Sequence, residues 1–168
     1  LEKPKYKNAS LGIAIILVII TAFLMVAVYT RFLMLHILIE QFYIHHWLSW
    51  TGTLFIAIFT PIYYSIKRLS PKRIKTLLRV HMFGNLIAVM FVSIHFTQQI
   101  SRPPQAYPSL GTGIVLYTSM ILLALTGFFL RFQAAKSYRR VWRYVHTSVT
   151  MAFYLIIVVH VLHGLAII

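Results

Sequence analysis

Cysteine is absent from all 168 residues. Disulfides, thiolate metal sites and thioether-linked c-type haem are excluded with it, while the redox compartment stays unread. Acidic residues are almost as scarce, Glu2 and Glu40 being the only two. Catalysis by paired carboxylates and carboxylate-rich cation cages are therefore all but excluded. Charged residues make up 11% of the chain and apolar residues 60%, against about 25% and roughly 45–50% in soluble domains. So few charges cannot build a water-facing shell, and the composition points to a lipid bilayer. The chain opens on Leu1 rather than Met, so residues upstream are expected.

What is present is a set of long apolar runs. A membrane-spanning helix needs about 20 mainly apolar residues, and five such stretches occur: Leu11–Leu35, Tyr43–Ile66, Leu77–Ile100, Gly113–Phe132 and Val141–Ile168. The first is the most uniformly aliphatic and is expected to face lipid on most sides. The others carry His, Gly, Ser and Thr among the apolar residues, the pattern of helices that pack on one another or on a ligand. The expected fold is an all-α integral membrane protein of five transmembrane helices. Residues 1–42 hold one peripheral N-terminal helix, and residues 43–168 form a four-helix bundle. Ser101–Gly113, rich in Pro and Gly, reads as an external loop.

Lys and Arg set the orientation. Lys3, Lys5 and Lys7 precede the first span. Lys67, Arg68, Lys72, Arg73, Lys75 and Arg79 lie between the second and third. Arg131, Lys136, Arg139, Arg140 and Arg143 lie between the fourth and fifth. Of the 16 basic residues, all but Arg31 and Arg102 thus fall on one side. A cytoplasmic N-terminus and an external C-terminus follow, in the cytoplasmic membrane of a prokaryote. The net charge of +14 is then explained by topology anchors and anionic-lipid contacts. No basic stripe with interleaved aromatics exists outside these loops, so nucleic acid is not an expected partner.

Eight histidines occur, and four are regular. His81 and His95 are fourteen residues apart on the third span, and His146 and His160 fourteen apart on the fifth. Fourteen steps of about 100° come within roughly 40° of whole turns, so each pair shares one helix face, about 21 Å apart along the axis. That separation fits one site near each edge of a hydrocarbon core about 30 Å thick. The two spans run in the same direction, which puts His81 and His146 at the inner level and His95 and His160 at the outer. Two levels of paired imidazoles, without carboxylate or thiolate, match the axial ligation of two b-type haems. A single zinc or copper ion would need its ligands to converge to about 2 Å from it, not to separate into two layers. His163 is a rival outer ligand, because seventeen residues from His146 also return near the same face; the spacing favours His160.

Neighbouring residues are compatible. Gly113 and Gly127 on the fourth span are also fourteen apart and fall at the outer and inner levels, where a missing side chain admits a porphyrin edge. Gly84, one turn after His81, is placed to do the same, although small-residue helix packing explains all three equally well. Ala88 and Phe153 lie midway between the paired histidines. Arg79 and Arg143 precede the inner histidines and are placed to pair with haem propionates, though topology alone accounts for them. At the outer face His36, His45, His46 and His163 lie near Glu40 and Gln41. They read as a quinone, metal or further haem site, or as interfacial residues in the aromatic belt of Tyr43, Trp47 and Trp50.

In TGIV, MILLALTG, SYRRVWRYVH and HVLHG, between Gly111 and Gly164, the chain resembles the ferric-reductase-like transmembrane domain, the haem-bearing module of ferric reductases and NADPH oxidases. The resemblance covers the five spans in outline. It implies haem ligands on the third and fifth spans, onto which His81, His95 and His146 map directly; its HG-like ending matches His163-Gly164 as well as His160. A sixth span and FAD- and NADPH-binding domains, usual in the family's reductases, are not in these 168 residues. A partner redox subunit or a membrane quinol is therefore the expected electron source. RVHMFG and LALTGFFL are also similar to the N-terminal half of bc-type cytochrome b, where two haems sit in a four-helix bundle.

The function expected is that of a di-haem b-type cytochrome, an electron-transfer subunit of an oxidoreductase complex that carries electrons across the bilayer. Its partners would be other redox subunits or a quinol, with the acceptor on the opposite face. Two alternatives belong to other classes: a non-catalytic membrane anchor or assembly subunit, and a histidine-lined proton or metal transporter.

Overall fold

The computed structural model describes residues 4–103, 111–133 and 136–164, without the side chains of 4–7, 68 and 71. Lys3, most of the expected loop (104–110) and the end of the fifth expected span (165–168) lie outside the described residues. Five helices account for nearly all of the rest: α1 (Pro4–Tyr29), α2 (Ile44–Leu69), α3 (Ile74–Ile100), α4 (Gly111–Phe132) and α5 (Arg139–Gly164). Four of them, all but α2, are long and apolar enough to cross a membrane. In α2 the apolar run is diluted by His45, His46, Ser49 and Thr51 and is interrupted by Pro61.

The chain divides into two compact units, Leu1–Tyr107 and Pro108–Ile168, where the sequence reading places its boundary after residue 42. In the first unit α1 packs along α3. Its contact stripe is narrow and built of small residues: Ser10, Ala14, Ala27 and Val28 are buried, while Ile16, Ile19, Phe23 and Val26 on other faces are more than half exposed. A stripe of this kind lets two helices approach closely while the large aliphatic residues remain available to an apolar surround.

The first expected span is six residues too long. The helix stops at Tyr29 because Arg31 turns left-handed at φ 61, and Leu33 N–H closes onto the Ala27 carbonyl at 2.9 Å. Two short strands, β1 (Leu38–Ile39) and β2 (Phe42–Tyr43), pair antiparallel with Ile39 opposite Phe42. The turn between them passes through Glu40 at φ 56. This hairpin is tied to the start of α2: Ile44 N–H donates to the Ile37 carbonyl at 2.9 Å, and Trp47 Nε1–H donates to the Ile39 carbonyl at 3.3 Å.

In the first unit α2 and α3 form an antiparallel pair. Ser70 precedes Pro71 at φ −137 and ψ 78, outside the α region that a following proline disfavours, and a single tight turn then leads into α3. Gly52 sets the closest approach: a Cβ there would lie 3.0 Å from the Ala88 carbonyl oxygen and 3.2 Å from its Cα. Since the obstacle is backbone, Gly52→Ala is expected to push the helices apart and cost about 1–3 kcal/mol. A lowered thermal midpoint in mild detergent checks this. In the second unit α4 and α5 run antiparallel, with Phe129 against Trp142 at 4.9 Å near the basic turn.

Candidate functional site

In the second unit two like arrangements recur fourteen residues apart. Near the basic end, Gly127 of α4 lies beneath the imidazole of His146: a Cβ on the glycine would be 3.4 Å from Cε1. At the other end, a Cβ on Gly113 would lie 3.5 Å from Cε1 of His160. Each glycine is preceded by a threonine that engages the same ring. Thr126 Oγ1 is 2.8 Å from His146 Nδ1, and Thr112 Oγ1 is 3.0 Å from His160 Nδ1. Two Thr-Gly pairs on α4 thus hold the two histidines of α5.

The contact between Thr126 and His146 favours one tautomer. Thr126 is fully buried, and its hydroxyl donates to the Leu122 carbonyl at 2.8 Å. A hydroxyl has one proton, and while it is on that carbonyl the oxygen is free to accept from His146 Nδ1–H. In that arrangement His146 Nδ1 would carry the ring proton, leaving Nε2 with the lone pair that a metal would take.

In the first unit the side chains differ but the contact does not. His81 Nδ1 meets the Asn85 side-chain nitrogen at 3.2 Å, while the Asn85 amide oxygen is buried without a partner among the described residues. The two ends of an amide are alike in shape; turned over, that oxygen is placed to accept from Nδ1–H. One face of His81 is covered by Tyr63, stacked at 4.6 Å and 12°, over which Lys67 Nζ sits 5.9 Å from the ring centroid. At the opposite end of α3, His95 Nδ1 lies 3.1 Å from Nδ1 of His45. His46 joins them, with ring centroids 4.2 Å from His45 and 5.0 Å from His95. Ligand nitrogens of these three lie within 4.8 Å of one another, a cluster able to hold a metal ion.

Comparison with protein-family models, with curated proteins and with solved structures gives no match. The site therefore stands on its own geometry. All four histidines selected by spacing have Nδ1 within hydrogen-bond distance of a polar side chain. His163 does not share this: it is exposed, and it is His160 that meets Thr112 and Gly113. His36 is exposed as well and touches Tyr43 edge-on at 6.2 Å. Arg79 and Arg143, shortly before His81 and His146 in the chain, are exposed.

Gly84 of α3 faces α2. Phe55 of α2 occupies the space above it, so close that a Cβ on Gly84 would overlap the ring. Phe55 is itself stacked on Phe59 at 5.1 Å. The bare backbone here serves helix packing. Phe153 is buried and meets the ring of Tyr154 edge-on at 6.3 Å. Sequence reasoning missed Thr112, Thr126 and Asn85, and saw His45 without its partner. The threonines share the fourteen-residue spacing of the glycines and were open to the same count.

Proposed function

We propose that the chain is a di-haem b-type membrane cytochrome subunit, related to the ferric-reductase-like transmembrane domains, that carries electrons across a bilayer. His81 and His146 would hold one haem, and His95 and His160 the other. The helices cross the membrane with the basic turns at the cytoplasmic face. Donor and acceptor are a partner redox subunit or quinol on one face and an acceptor on the other.

The observation that carries this reading is the hydrogen bonding at Nδ1. A histidine that ligates through Nε2 needs its other nitrogen protonated and held, so that ring orientation and basicity are set. Polar side chains stand at that nitrogen in all four histidines chosen from spacing alone. Neutral imidazoles without nearby carboxylates or thiolates are the donor set that a haem b iron accepts. Two further features fit a porphyrin. Gly113 and Gly127 leave room beside the ligands on α5. Trp142 Nε1–H, one turn before His146, is buried with no acceptor among the described residues and is a donor suited to a propionate, beside Arg143.

A bound haem supplies a one-electron couple, whose potential the protein tunes through ligand hydrogen bonding and burial. The chain's residues supply the rest: imidazoles oriented by Thr, Asn and His partners, and apolar helices that exclude water. Purified protein is expected to be coloured, with a b-type α band on dithionite reduction and two haems per chain by pyridine haemochrome. Colourless protein that retains its fold would instead favour an anchor or a histidine-lined transporter.

A further inference from the structure

We infer that His45 is the positioning residue of the outer ligand: it accepts the Nδ1 proton of His95 and so turns His95 Nε2 toward iron. The inference rests on the haem reading and extends it to a residue outside the ligand set.

The geometry is specific. His45 is 2% exposed and lies in the first turn of α2, which the β1–β2 hairpin pins in place. Its ring is held between Tyr43, stacked at 5.9 Å and 13°, and His46 at 4.2 Å. So clamped, its Nδ1 stands 3.1 Å from Nδ1 of His95. Two nitrogens at that distance share one proton. If His95 gives its Nε2 lone pair to iron, its proton must be on Nδ1. His95 is then the donor, and His45 accepts with its own proton on Nε2. His45 does for His95 what the buried Thr126 does for His146. An acceptor at Nδ1–H makes the ligand more basic and stabilises the ferric state.

The same three histidines, His45, His46 and His95, are also the cluster able to hold a metal ion. An ion there would replace the shared proton. The hydrogen bond is the reading favoured here because it gives His95 the Nδ1 partner that each of the other three ligand histidines has.

The test uses full-length protein in detergent, reconstituted with haem, and three variants: His45→Leu, His45→Asn and His45→Asp. In His45→Leu two haems remain, while the outer couple shifts toward the reduced form by about tenfold, near 59 mV for one electron. The low-spin electron paramagnetic resonance signal of that haem moves as well. His45→Asn, whose amide oxygen reaches the position of the imidazole Nδ1, restores both. His45→Asp, a stronger acceptor, moves the potential in the opposite direction and keeps the test open should the leucine variant not accumulate.

An outer haem with unchanged potential and spectrum in a two-haem His45→Leu or His45→Asp protein would overturn the inference alone. So would one zinc or copper ion per chain in the wild type, lost with any one of the three histidines and accompanied by a single haem. Colourless wild-type protein would overturn the haem reading, and this inference with it.

Discussion

His146→Ala is expected to leave one haem per chain instead of two, and His81→Ala to remove the same one. His95→Ala and His160→Ala should each remove the other. The effect would be large because the chain has no cysteine to attach a haem covalently, so on the haem reading the two histidines of each pair would supply most of what retains the group. Haem-to-protein ratios, with potentiometric titration to tell which couple survives, check the pairing. The pairing follows from the count of fourteen residues on α3 and on α5, so it can fail independently of haem binding. If any single change lost both haems equally, the layered assignment would have to be abandoned. His163→Ala, by contrast, should retain both haems, since His163 is exposed and His160 is the ring held by Thr112.

The second large effect is steric and lies on α4. In Gly127→Ala the new Cβ falls 3.4 Å from His146 Cε1 and 3.9 Å from Nδ1, which is ordinary van der Waals contact, so both haems should remain. In Gly127→Leu the atoms beyond Cβ must enter the imidazole's space. The ring then swings off Thr126, whose hydroxyl is fixed on the Leu122 carbonyl, and the inner haem should be lost. The pair of variants isolates volume from backbone flexibility, because alanine removes the glycine as fully as leucine does. The same contrast applies at Gly113, where the limiting atom is His160 Cε1 at 3.5 Å and the outer haem is at stake. Retention of both haems in Gly127→Leu would show that the glycine clears no space for His146.

These two predictions differ in how much of their basis lies in the sequence. The histidine positions follow from one-dimensional periodicity, because residues on one face of a helix recur at fixed intervals whatever the helix packs against. The same reasoning places the glycines of α4 and the basic turns. It also places all five helices, with errors at their ends where local backbone geometry takes over. Arg31 and Glu40, both left-handed, are such places: neither residue type announces a positive φ, and one apolar run therefore reads six residues too far.

Composition and spacing by themselves determined that this chain is helical and apolar, and that four imidazoles lie in two matched pairs. Only the tertiary structure decided what stands next to each imidazole. Partners across helices depend on the register of antiparallel packing, and that register is set by close contacts such as Gly52 against Ala88 and Phe55 over Gly84. A one-turn slide would leave every periodicity intact while removing Thr126 from His146 and His45 from His95. The proton on each ring, and with it the nitrogen open to a metal, is therefore a property of the packed structure and not of the sequence pattern.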